Sequence, residues 1–259
     1  MPVMDEFREE REALKHGTLK QKISYFFCYY KWHVIVTIAL IAFAVSMAHQ
    51  ILTQKENAFF AAFINTVELE TAENFVQGFT EYAGIDMNEF DVMFDTAMRI
   101  NPDPASYDES TITSTQKVMV YLAAQEIDIL AAGDTVMNSY AYNDSFYDLR
   151  EILTADQLAK YEPYFYYMDR ALAEERNAMD YSDPDYATLP DYPDPRNPEA
   201  MRDPVPVGIY LDNADILKEH YYFLDENALV AVAANTRHPE TVSRYFEYIF
   251  SEAVPSAVR

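Results

Sequence analysis

AFFAAFINT, residues 58–66, decides the fold. Seven apolar residues stand in a row without alternation and stop at Asn65-Thr66. A run of strand length with no polar side predicts a strand buried on both faces. The next segments alternate between helix and strand. Phe75, Val76, Phe79, Tyr82 and Ala83 recur at helical spacing, and Gly84 is a natural stop. EFDVMFDTAM (89–98) alternates as a second strand. Thr113 and Gln116 have capping-box spacing before the helical VMVYLAAQ, and EIDILAAG (126–133) reads as a third strand with Asp134 placed to cap the next helix. Such alternation predicts a mostly parallel sheet with right-handed crossovers.

Further along, 146–153 reads as irregular, and Thr154 with Gln157 repeats the capping box. Helix is expected in pieces past Pro163 to Asn177. Seven of the thirteen prolines fall in 180–206, among many aspartates, so that stretch is expected to be a long loop. PVGIYLD (206–212) and ALVAVAANT (228–236) read as strands. Pro239 opens a last helix whose Val242, Tyr245, Phe246, Ile249 and Phe250 form one stripe. The expected fold class is α/β: one transmembrane helix, then a mostly parallel three-layer αβα domain.

Upstream of the decisive strand, 32–54 holds no Lys, Arg, Asp or Glu. The apolar Val34–Leu52 would span about 28 Å as a helix, close to a bilayer core of about 30 Å. Residues 5–12 are mixed charge and read as a solvated helix. Lys15, Lys20, Lys22 and Lys31 precede the span, while Glu56, Glu68, Glu70 and Glu73 come after it. The positive-inside rule then puts a head, 1–31, in the cytoplasm and 56–259 outside, in a single-pass cell-membrane topology. Tyr25, Phe26, Phe27, Tyr29, Tyr30 and Trp32 form an aromatic belt at the inner boundary. Ser46-Met47-Ala48 has small-x-small cleavage spacing. The long preceding segment, and an apolar run that continues past the cut, favour an uncleaved anchor. Partners expected on this reading are the bilayer, through 32–54, and no nucleic acid. Residues 56–259 carry twelve basic against thirty-eight acidic side chains, and that field repels phosphate backbones.

Chemistry is thinly signalled. GxSxG, HExxH, P-loop, GxGxxG and EF-hand patterns are all missing from the sequence. Cys28 is the single cysteine, and no cofactor or metal is expected. His238, before a proline at a helix start, reads as a cap. His220 reads as a strand-edge residue. Tyr161, Tyr164, Tyr166 and Tyr167 read as packing. Acidic pairs such as Asp191/Asp194 and Asp212/Asp215 read as solvated surface, with a carboxylate-dependent hydrolase as the least favoured alternative. Ligands of open α/β sheets sit outside the carboxyl ends of the strands. That position nominates Asn65, Thr66, Asp95, Thr96, Gly133, Asp134, Thr135 and Asn235 for a small polar solute, or equally as plain helix caps.

Three stretches carry a resemblance: EIDILAAGDTV, FYDLREILTADQLAKY and AVAANTRHPETVSRYFEYIF. They resemble the third strand, the segment after it, and the late strand and helix of extracellular solute-binding proteins of ABC importers, of type 2 periplasmic-binding fold. The resemblance implies a binding module, no catalysis, and a membrane transporter as partner. Family members run to about twice this length, with two lobes, so a reduced second lobe is expected within 140–225. The alternative is an accessory or sensory membrane subunit that binds no solute and acts through proteins.

Overall fold

The computed structural model describes residues 18–53, 55–106, 108–180 and 189–251. Residues 5–12 lie outside these, as do the side chains of the aromatic group 25–30. The chain falls into two units, 1–54 and 55–259.

The described part of the first unit, 18–53, holds one helix, α1 (Leu19–Thr53), of 35 residues. Its segment Lys31–His49 has a mean hydropathy of 1.8 and none of it is buried. Ile38, Leu40, Ile41, Phe43 and Val45 are each more than half exposed. Among the described residues, one helix, near the N-terminus, is long and apolar enough to cross a membrane. Its apolar window begins three residues before Val34, because the helix continues backwards through the Lys31 turn.

The second unit is built on β1 (Glu56–Phe63). Phe59 to Ile64 are at most 1% exposed. After β1 come β2 (Thr66–Glu68), α2 (Ala72–Ala83), β3 (Phe90–Asp95), α3 (Glu109–Ala124), β4 (Ile129–Gly133) and α4 (Asp134–Ala141). Two short helices, α5 (Leu149–Ile152) and α6 (Ala155–Tyr161), lead to β5 (Phe165–Asp169) and α7 (Arg170–Asn177). The chain closes with β6 (Pro204–Tyr210), α8 (Asp215–Lys218), β7 (Tyr221–Phe223), β8 (Ala228–Val232) and α9 (Pro239–Ile249).

Six strands form one sheet in the order β3-β1-β4-β8-β6-β5, and β2 pairs with β7 as a separate ribbon. β1 is parallel to β3 and β4, β8 is antiparallel to both β4 and β6, and β5 is antiparallel to β6. Four strands therefore run one way, and the sheet is mostly parallel in direction, with β8 inserted against it and β5 reversed at the edge. Helices cover both faces. Phe59, Ala61 and Phe63 enter one core with α2 and α9, while Ala62 and Ile64 enter another with α3, α4 and α7. The first core is aromatic: Phe59 meets Phe79 and Tyr245 at centroid distances of 4.9 Å each, and Phe63 meets Phe94 at 5.5 Å.

Local details depart from the sequence reading. α3 starts a turn before the expected box: Asp108 caps it, accepting from the Thr111 N–H at 2.7 Å. Thr154 and Gln157 do form their capping box. β5 lies where helix was expected. A run of aromatic residues packs better on a pleated surface than on a helix, and Pro163 had already stopped α6. β6 begins two residues early, at Pro204. Over 204–206 it pairs with β5 alone, so its prolines leave no ladder donor missing on the β8 side. A bulge at Tyr166/Tyr167 turns the Tyr167 N–H to Pro195 O at 3.0 Å, so the 189–203 stretch shields the β5 edge.

Asp169 anchors that stretch. It is 4% exposed and accepts backbone N–H groups of Ala171, Arg202 and Asp203 at 3.1 Å each. Burial pushes its carboxyl upward, but those donors and the Arg202 charge outweigh it and hold the pKa below the ordinary value. A depressed carboxylate stabilises above its unfolded pKa of about 4 and loses that contribution as pH falls through the lower folded value. Asp169→Asn is expected to cost about 1–3 kcal/mol at pH 7. In urea titrations the gap from wild type should hold to about pH 4 and close below it.

Candidate functional site

The carboxyl ends of β1, β3 and β4 meet on one rim, and their side chains are consumed in holding it together. Asn65 adopts a left-handed φ of 53°, which asparagine tolerates. Its amide donates to Ile100 O at 2.7 Å and to Asp225 Oδ2 at 2.8 Å, while its Oδ1 accepts the Ile100 N–H at 2.9 Å. Thr66 is fully buried and donates to Ile64 O at 3.0 Å. Asp95 accepts Lys117 Nζ at 2.6 Å and the Ala97 N–H at 3.0 Å. Thr96 donates to Glu68 Oε1 at 2.9 Å. Arg99 ties the ends to each other: its guanidinium donates to the carbonyls of Thr96, Met98 and Thr66 at 2.6, 2.8 and 2.9 Å.

Gly133 joins the rim through a close approach. A Cβ there would lie 2.6 Å from Asp225 Cβ, so the absent side chain makes room for Asp225. Asp134 and Thr135 open α4 on the same rim, with the Thr135 hydroxyl on Asp134 Oδ1 at 3.3 Å. Nearby, the Arg196 guanidinium lies 3.5 Å from the Tyr210 ring centroid and pairs with Asp212 at 2.9 Å. Burial, then the charge of Asp134, pushes the Tyr210 hydroxyl well above its ordinary pKa.

Two open clefts of about 280 Å³ each flank Asp225. Asn65, Arg99, Asn101 and Thr111 line one; Asp212, Lys218 and Tyr222 line the other. Several lining groups are already engaged within the protein: Asn65 and Arg99 in one cleft, and Lys218, which donates to Asp212 O at 2.6 Å, in the other.

Asn235 is elsewhere. β8 runs against β4, so the end of β8 lies beside the start of β4, and the Asn235 amide donates to Leu122 O at 2.5 Å. The residue that organises this opposite rim is Asp128, 1% exposed. It accepts the Phe60 N–H at 2.8 Å, the Thr236 hydroxyl, and His238 Nδ1 at 3.1 Å. His238 therefore does not cap α9 with its side chain. A carboxylate orienting an imidazole is half of a nucleophile-activating array. The adjacent hydroxyl, on Thr236, already donates to that carboxylate and accepts the His238 N–H at 3.1 Å. A groove of about 620 Å³ runs along Tyr147, Glu151, Pro239, Ser243, Arg244 and Glu247. Behind it the Tyr161 hydroxyl is raised to about 12, by burial first and then by Glu247 and Tyr82. Among the described residues no three His, Cys, Asp or Glu are grouped to hold a metal ion.

Sequence reasoning missed Arg99, Asp128 and Asp225. Only Asp128 had a signal: it is an acid at the mouth of a strand otherwise wholly buried. No family model matches the chain, and neither the curated proteins nor the solved structures give a match.

Gly133→Ala tests how rigid the rim is. Displacing Asp225 is expected to cost about 1–3 kcal/mol. For a domain of this size that lowers Tm by several degrees. An unchanged Tm would mean that the Asp225 loop gives way freely.

Proposed function

We propose that this chain is a membrane-anchored binding module that acts through protein contacts rather than by enclosing a solute, with its acidic domain outside the membrane. Lysines before the apolar helix and glutamates after it support that orientation. The type 2 periplasmic-binding reading draws support from the pairing of β4 with β8, since these strands carry two of the three resembling stretches. The third packs into the same core through Leu149, Leu153 and Tyr161. On this reading the module is a single lobe: the described residues form one six-stranded sheet and a small ribbon, with no second sheet to close over a solute.

One observation favours contact with a protein. Val67 and Tyr222 face each other across the β2–β7 ribbon, and Leu69 and Leu224 extend the same outer face. These four are 40–61% exposed, and exposed Glu70, Glu219 and Glu226 border them. An apolar centre with a charged border is the anatomy of a protein interface. The border selects a partner that presents apolar anchors among Lys and Arg, here a membrane protein beside the anchor. Asp225 between its two clefts favours a second reading, capture of a small cationic or hydrogen-bond-donating solute.

Purifying the full chain from its native membranes in mild detergent separates these readings. A membrane protein is expected to co-purify in fixed ratio and to be lost at least tenfold with Tyr222→Glu. Tm should change little, since exposed positions tolerate substitution to within about 0.5 kcal/mol. Absence of a partner, together with a rise in Tm on adding one small polar solute, would overturn the proposal in favour of the second reading.

A further inference from the structure

α3 is unlike the rest of the acidic domain. From Ser110 to Gln125 its only charged residue is Lys117, in a stretch, 56–259, that carries thirty-eight acids. Lys117 is neutralised by Asp95 at 2.6 Å. Thr111, Ser114 and Val118 face inward. Outward, Ile112, Met119 and Val120 are 51%, 61% and 63% exposed, and Gln116 and Ala123 complete an uncharged stripe along one helix face.

We infer that this stripe is the contact between two copies of the chain, packed antiparallel about a two-fold axis near Lys117-Val118. The stripe is complementary to itself in that register. Ile112 falls opposite Ala123 of the second copy, a large residue against a small one, and Gln116 falls opposite Met119. Isologous interfaces require this kind of reciprocal match. At each end the register sets Glu126 opposite Glu109 of the other copy, and Arg237 supplies a cation beside that acidic pair. Exposed Arg237 donates to Ala124 O at 3.3 Å, at the carboxyl end of α3, where Glu126 also lies. Antiparallel packing brings that Arg237 to the Glu109 turn of the other copy. Two acidic bodies repel each other over most of their surface, so an uncharged face is where they can approach. A helix pair of three turns buries less than the roughly 1,200 Å² of a stable interface, so the pair is weak in solution and depends on confinement to a membrane. This inference needs only the membrane anchor and not the ribbon contact proposed above.

Gln116→Cys in a Cys28→Ser background, in the full chain reconstituted into lipid vesicles, tests it with a short bis-maleimide. A cross-linked dimer is expected at Gln116→Cys and not at Glu151→Cys on the other side of the sheet. The dimer should increase between about 50 and 500 mM salt, as screening removes repulsion between the bodies. Adding Val120→Glu should reduce it at least fivefold. The inference is overturned by no dimer at either salt, by a dimer that falls with salt, by one indifferent to Val120→Glu, or by cross-linking only to a protein of different mass. Loss of the ribbon partner in Tyr222→Glu leaves the expected dimer unchanged, so the two proposals fail separately.

Discussion

A central strand without a polar side imposes everything else. Phe59, Phe60, Ala61, Ala62, Phe63 and Ile64 contribute almost no surface to solvent. Burying each large side chain is worth about 1.5–3 kcal/mol, which is gained only if both faces of β1 are covered. Its backbone must also be fully paired, because an orphaned buried amide costs as much as a lost hydrogen bond. β3 and β4 supply that pairing on either side, and Asp128 takes the Phe60 N–H. The two faces in turn require helices above and below. β8 enters antiparallel beside β4 and directs the chain into α9, whose Tyr245 closes over Phe59.

The same demand explains why the carboxyl rim is poor in free chemistry. Where parallel strands end together, their last carbonyls and the loops beyond them need partners. Arg99 donates to three carbonyls, sharing that of Met98 with the Asn65 N–H, and the Asn65 side chain spends its donor and acceptor on Ile100 and Asp225. In many α/β proteins that rim carries the ligand. Here the polar groups that would recognise one are mostly spent inside, and the exposed features that remain are apolar: the ribbon face and the α3 stripe.

Legibility depended on the strength of the local signal. AFFAAFI and EIDILAAG read as strands because apolar runs of that length end at polar or turn residues. The Thr154/Gln157 box and Pro239 marked helix starts because their chemistry is local. FYYMD was missed because an aromatic run after a helix suits either period, and tertiary packing chose the strand. Thr113 and Gln116 have the right spacing, but Asp108 captured the helix start one turn earlier. Asn235 was placed on the wrong rim because a strand's direction is not written in its own residues. Arg99 and Asp225 were invisible for a similar reason: each acts on residues far away in the chain, and nothing beside them in sequence announces it.

On the proposed function, the large domain works by its exposed ribbon and not by its rim clefts. Amide hydrogen exchange of the full chain, compared between native membranes and purified protein, tests it most directly. Exchange over 65–69 and 220–224 is expected to be slower in native membranes, with 99–106 and 225–228 unaltered. Slower exchange confined to 99–106 and 225–228 on adding a small solute, with the ribbon unchanged, would contradict it.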